Sequence, residues 1–346
     1  MNGTIEHSDG LTAHERQLFH DVDAHEQDYD NIIRHFGNII APIGILLNSI
    51  FLFVVIRVKS MRTIINVYLS NLAVADATYM IINMSGAWAT EHTHIASGAY
   101  LAVRIASVTM QNASYFFVTV IAVERFSAVR QPLTQRARAS KSRAAKVSAG
   151  VWVVAVVPGV LGGLDNNYVK NVVFSQVYVV SLLLIYLGTF TITVFSYIYI
   201  VIKLCHSDRE RQEGQSRRVY PVVRMLVINT AVFFVLNSMD IAYNVMVIIL
   251  EFSMHSEAEA FIDIYWTYLD VKVCLGMVRV INSSINTLVY SVTNRQYRAA
   301  FLEASPPLAK LLRQCRRCRR PQQTEQIELR AIPPAKAAQE SPAQAH

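Results

Sequence analysis

Seven apolar stretches, roughly 32–56, 65–88, 100–122, 147–164, 172–204, 219–250 and 262–292, dominate this chain. Crossing the hydrocarbon of a bilayer takes about 20 mostly apolar residues, and each stretch approaches or exceeds that length. No water is present there, so backbone amides must bond within one segment or within a closed barrel. Runs this long far exceed a barrel strand, which leaves helices. The predicted fold is an all-α membrane protein, a seven-transmembrane helix bundle. A composition of 53% hydrophobic and 16% charged residues is too apolar for an ordinary soluble chain of this size.

The net charge of +7 points away from nucleic acid because of where it sits. Lys and Arg crowd into alternate connections: Arg57, Lys59 and Arg62; Arg130 to Lys146; Arg209 to Arg218; and the segment after Arg295. The first thirty or so residues are acidic, with Glu6, Asp9, Glu15, Asp21, Asp23, Glu26, Asp28 and Asp30. The positive-inside rule then puts the N-terminus outside and the C-terminus in the cytosol, as an odd number of spans requires. The expected organisation is an extracellular tail over 1–31, a bundle over 32–293, an amphipathic surface helix over 294–304 and a disordered cytosolic tail over 305–346. The start lacks the basic and apolar regions of a cleaved signal, so the first span is expected to direct insertion. Asn2-Gly3-Thr4 fits a glycosylation acceptor on the outer side. None of the four cysteines falls in an expected extracellular segment, so no extracellular disulfide is expected.

A charge within a span costs a few kilocalories per mole unless it has a partner or a wet cavity, which makes it a functional candidate. Glu124 and Arg125 end the third span in VERFSAVRQPL. That segment resembles the third-helix end of rhodopsin-like G-protein-coupled receptors, where an acid, an arginine and an aromatic precede a loop proline; Glu124, Arg125 and Phe126 take those places. NLAVADA matches the second-helix motif, with Asp76 as its intramembrane acid. Asn48, Trp152 and Tyr197 fall at the marker positions of the first, fourth and fifth helices. NTLVY, Asn286 to Tyr290, resembles the asparagine-proline-x-x-tyrosine element, with Thr287 in place of proline. The resemblance covers about Asn48 to Phe301.

The resemblance implies a ligand-biased switch in the plasma membrane rather than an enzyme. In the resting state Glu124 would pair with Arg125. When the sixth helix swings outward, Arg125 would meet a heterotrimeric G protein, with Tyr197 and Tyr290 assisting. It also implies a mid-bundle sodium ion held by Asp76, Ser114, Asn282 and Asn286, all oxygen-bearing side chains suited to a hard cation.

The chain departs from the family at several points. Around Val232 to Tyr243 the sixth span offers Asn237 or Ser238 and then Met239 or Asp240 where a tryptophan and a proline are usual, and Thr189 replaces the fifth-helix proline. Straighter spans and an altered hinge are expected. The expected ligand pocket holds Arg104, Ser107, Asp240 and Arg279, with an Asp240–Arg279 ion pair. Ser107 stands where amine receptors carry aspartate, and Val280 where opsins carry their lysine. An amine and covalent retinal are therefore disfavoured, leaving a peptide, a small acid, a lipid or no ligand. The acidic outer face favours a basic peptide.

In NRQYRAAFLE, 294–303, Tyr297 and Phe301 stand four apart, as in a helix lying on a membrane. Cys315 and Cys318 lie among arginines in LLRQCRRCRR, a pattern suited to lipidation and to contact with anionic membrane lipids. A binding-only seven-helix receptor is the alternative reading. A transporter or channel using Arg104, Asp240 and Arg279 as a path stands behind it, since no repeat of the transporter kind is visible.

Overall fold

The computed structural model describes residues 13–92, 97–138, 140–167, 172–209, 241–250 and 258–307, with isolated positions between 232 and 239. The chain divides into two compact units, Met1–Ala300 and Phe301–His346. The helices are α1 (Ala13–Arg57), α2 (Ile64–His92), α3 (Ser97–Arg130), α4 (Pro132–Arg138), α5 (Lys141–Asn167), α6 (Val172–Arg209), α7 (Ile241–Leu250), α8 (Ala258–Thr293) and α9 (Arg295–Ala304). Among the described residues, five helices are long and apolar enough to cross a membrane, beginning with His25–Arg57 and ending with Val173–Lys203. α8 has the length of a crossing and carries Asp270 and Lys272 in its first half and Arg279 just past its middle.

Burial runs in the sense a lipid environment demands. Leu46, Val153, Leu184 and Ile202 are 59–70% exposed, whereas Asn48, Asn112 and Thr193 are wholly buried. Polar side chains that would cost free energy against hydrocarbon face each other inside, and large apolar ones face outward. α3 is the central helix, packed on α2, α5 and α6, while α1 lies against α2 and α8. Tyr68, Leu72, Phe117, Ile121 and Ala155 form the apolar core where α2, α3 and α5 meet. Gly159 permits that approach: a Cβ there would stand 2.8 Å from the Ile105 carbonyl oxygen.

The residues expected to form a tail take a different course from Ala13 onward. α1 begins there and continues without interruption through the first span, so the acidic segment is helical for most of its length. The losses of proline also have a local account. The Thr189 hydroxyl donates back to the Ile185 and Tyr186 carbonyl oxygens, both at 3.0 Å, and α6 runs on as one helix. Pro42 and Pro158 instead interrupt the bonding of α1 and α5. Asn294 starts α9 by accepting from the backbone amides of Gln296 and Tyr297.

Candidate functional site

Near the C-terminal end of α3, Glu124 is 8% exposed and receives the Arg143 guanidinium of α5 at 3.2 Å. Sequence reasoning assigned the neighbouring Arg125 to this acid; the structure adds a partner that reasoning did not name, on a helix nineteen residues further on. Phe126 packs edge-on to Tyr199 of α6 at 4.7 Å and tilts against Phe195, with Arg130 5.8 Å over its ring. Tyr197 is buried beside Ala122 and Ile200, next to Phe126. Glu124, Phe126 and Tyr197 thus sit where α3, α5 and α6 meet. The Tyr290 side chain lies outside the described residues.

Halfway up the bundle, Asp76 is buried, and its two oxygens receive different donors: the Ser114 hydroxyl at 2.8 Å and the Asn286 amide at 3.0 Å. Three helices converge on one carboxylate. Next to it lies a void of about 10 Å³, lined by Asp76, Ser114, Asn282 and Ser283 among others. The sequence named Asp76, Ser114, Asn282 and Asn286 together, and the fold brings them together. Arg279 lines the same void. Beneath, Asn48 donates to the Gly44 and Ser283 carbonyls at 2.9 Å and accepts from the Thr287 hydroxyl at 2.6 Å. Trp152 donates its indole N–H to Asn71 at 2.9 Å, which ties α5 to α2.

The residues around the void fit a small hard cation by donor type. Aspartate, serine and asparagine oxygens are the ligands such an ion takes, and the void has the size of about one water or one ion. Arg279, also a lining residue, carries a permanent positive charge that a bound cation would have to tolerate.

At the opposite end of the bundle from Glu124, α1, α2 and α8 line a cavity of about 670 Å³. Arg279 lines it, as the sequence led one to expect, but the other expected members part company. Arg104 turns to α5 and donates to the Gly162 carbonyl at 3.4 Å, outside this cavity's lining. Ser107 exchanges hydrogen bonds with Asn83, which is a lining residue. Asp240, Asn2, Cys315 and Cys318 lie outside the described residues.

Sequence reasoning missed the α1 side of this cavity. Glu26 and Asp30 both hold the Lys272 ammonium, at 3.0 and 2.9 Å. Tyr265 donates to Glu26 and Tyr29 donates to Asp270, each at 3.0 Å, and His25 meets the edge of Trp266. These groups join the outer extension of α1 to α8. The only signal in the sequence was the acidic spacing of Glu26 and Asp30, which puts both carboxylates on one face of a helix.

The geometry is matched by likeness to known proteins. The sequence profile of the 7 transmembrane receptor (rhodopsin family) matches residues 47–290. Rat somatostatin receptor type 4 is 34% identical over 121 residues, 34% of this chain and 32% of that protein. Human somatostatin receptor type 3 is 25% identical over 290 residues, covering 76% and 65%. Type-1 angiotensin II receptor B of Xenopus laevis is 23% identical over 282 residues, 75% of each. The matched part spans about a third of the length of the somatostatin type 4 and type 1 receptors. With a profile match that runs from α1 to the end of α8, the chain is a multi-pass membrane protein with a seven-helix bundle, and it belongs to the rhodopsin family of seven-transmembrane receptors.

Proposed function

We propose that this chain is a plasma-membrane receptor, not an enzyme, that converts binding of an extracellular peptide into nucleotide exchange on a heterotrimeric G protein. The observation that carries the reading is the cytosolic layer of α3. A buried acid, Glu124, is held by a half-exposed arginine from a neighbouring helix; Arg125 follows it in the chain, and Phe126 packs where α3 and α6 meet. An ion pair of this kind, with one partner in water, is weak enough to be exchanged when a helix moves. It suits a two-state element whose populations a ligand shifts.

The likeness to somatostatin and angiotensin receptors supports a peptide as the ligand. The acidic extension of α1 supports a basic one. The basic connections support an N-terminus outside, where Asn2 would be glycosylated, and a C-terminus in the cytosol, where Cys315 and Cys318 would be lipidated. Asp76, Ser114, Asn282 and Asn286 would hold a sodium ion, whose charge would neutralise the buried carboxylate and favour the inactive packing.

The test is nucleotide exchange on a panel of G proteins, using membranes carrying wild type or Arg125→Ala at matched expression. Exchange above background in the wild type and lost in the variant is the expected result. The departures at Ser238 and Met239 in the sixth span favour a second reading, a receptor that binds without signalling. Silence of every G protein with both forms would select that reading.

A further inference from the structure

The cavity between α1, α2 and α8 is long. Along α1 its lining runs from Gln27 to Ala41, about 20 Å of helix at 1.5 Å per residue. A volume of about 670 Å³ drawn out over that length makes a slot for an extended molecule, and about six residues of extended chain would span it. Ile33, Met80, Met84 and Leu275 give the slot apolar wall.

α1 also presents a row of carboxamides. Gln27, Asn31 and Asn38 all line the slot, and at 3.6 residues per turn they fall within about 40° of one another around the helix. Asn38 lies two turns beyond Asn31, about 10 Å further toward the middle of the bundle and inside the apolar run of the first span. Gln27 and Asn38 are exposed, and among the described residues neither makes a side-chain hydrogen bond. Asn31 accepts from the Arg34 guanidinium with its oxygen, which leaves its amide N–H groups as donors. A carboxamide in a span is costly against hydrocarbon unless something polar meets it, so Asn38 calls for a polar group in the slot.

The charged residues of the lining favour an uncharged one. Lys272 is shared by Glu26 and Asp30, Arg34 is engaged with Asn31, and the Arg279 guanidinium carbon stands 5.7 Å from the centre of the Tyr243 ring. A carboxylate or an ammonium would have to compete with contacts already made. An amide both donates and accepts, so it matches a carboxamide in a two-point bond and leaves those contacts intact.

We propose that the slot receives an elongated, largely apolar molecule whose inner end is an uncharged carboxamide, with Asn38 as its terminal contact. This inference rests on reading the chain as a receptor for an extracellular ligand. The shared chemistry has two sources. One is the amidated C-terminus of a peptide, whose preceding peptide groups would meet Asn31 and Gln27. The other is a small free amide that reaches Asn38 alone.

The experiment uses the full chain in lipid nanodiscs and two matched probe pairs at millimolar concentration. One pair is phenylbutanamide and phenylbutanoate. The other is a tetrapeptide of two basic residues, leucine and phenylalanine, as the C-terminal amide and as the free acid. The readout is the melting temperature against probe concentration, for wild type, Asn38→Leu, Asn38→Ala and, as a remote control, Gln131→Leu. At least one amide is expected to stabilise the wild type where its acid does not. Its apparent affinity should fall about ten-fold or more in both Asn38 variants and stay unchanged in Gln131→Leu.

Stabilisation by phenylbutanamide assigns the small amide; stabilisation by the peptide amide alone assigns the peptide C-terminus. Equal effects of amide and acid in both pairs, no stabilisation by either amide, or an amide preference that survives both Asn38 variants would overturn the proposal and leave the carboxamides to water. If one Asn38 variant fails to fold, the other decides. Binding is read without a G protein, so amide binding with no exchange on any G protein sinks the receptor reading and keeps the site, and exchange without amide binding does the reverse.

Discussion

The Thr287 hydroxyl donates to the Asn48 amide oxygen across 2.6 Å, joining α8 to α1 at the point where relatives in this family carry a proline. Asn48 is wholly buried, so its oxygen has no water to turn to if the donor is removed. Thr287→Val keeps the shape and deletes the donor, and it should cost about 1–3 kcal/mol. Thr287→Ser keeps the hydroxyl and should retain most of the stability. Thr287→Pro removes the hydroxyl together with a backbone donor and should be the least stable of the three. Thermal unfolding of the purified variants checks the order, and a valine variant as stable as wild type would show that the bond carries no net stabilisation.

The Glu124–Arg143 pair separates stability from signalling. Arg143 is half exposed, so solvent screens the pair and its loss should cost at most about 1 kcal/mol. Its effect should appear in the resting level of the switch instead. Arg143→Gln is expected to raise ligand-independent nucleotide exchange with little change in melting temperature, and Glu124→Gln to raise it further, since the buried acid then loses its charge. Basal exchange at wild-type level in both variants would mean that the pair serves only to dock α5 on α3.

These two relationships mark where the sequence was legible and where it was not. Asp76, Ser114 and Asn286 were readable because an oxygen-bearing side chain inside an apolar run has no cheap alternative to finding others like it. Thr287 was read as a lost proline, since a motif reports a missing residue but not the new bond its replacement makes. Arg143 lay among six basic residues of one connection, Arg130 to Lys146, and nothing in their spacing said which would fold back onto Glu124. The helical start of α1 was hidden for a related reason. Residues 13–31 are polar enough to pass for a solvated tail, and what holds them is contact with Tyr265, Asp270 and Lys272 more than two hundred residues away.

Lys272 should therefore govern the outer extension of α1. Replacing it with methionine keeps the aliphatic stem and leaves Glu26 and Asp30 facing each other without the shared ammonium. Like charges one turn apart repel, so the helix should fray from its start toward the membrane. Hydrogen–deuterium exchange over residues 13–30 is expected to rise in Lys272→Met, and high salt should raise it in the wild type by screening the same pair. Exchange in α5 should not change. Unaltered protection of the α1 extension would indicate that Tyr29, Tyr265 and the His25–Trp266 contact suffice without the ion pairs.

Sodium offers the sharpest test of the mid-bundle site, because Arg279 opposes it. An ion beside Asp76 would gain from the carboxylate and from the serine and asparagine oxygens around the void, but Arg279, a fixed cation, also lines that space. At equal ionic strength, sodium chloride should raise the melting temperature of the wild type above its value in potassium chloride, since the void suits the smaller ion. Asp76→Asn should abolish the difference, because it deletes the one negative charge of the donor set. Arg279→Gln should enlarge it, because it removes a fixed positive charge from the wall. A wild type that melts alike in both salts, together with an Arg279→Gln variant that does the same, would assign the void to water and leave Arg279 as the counter-charge of the region.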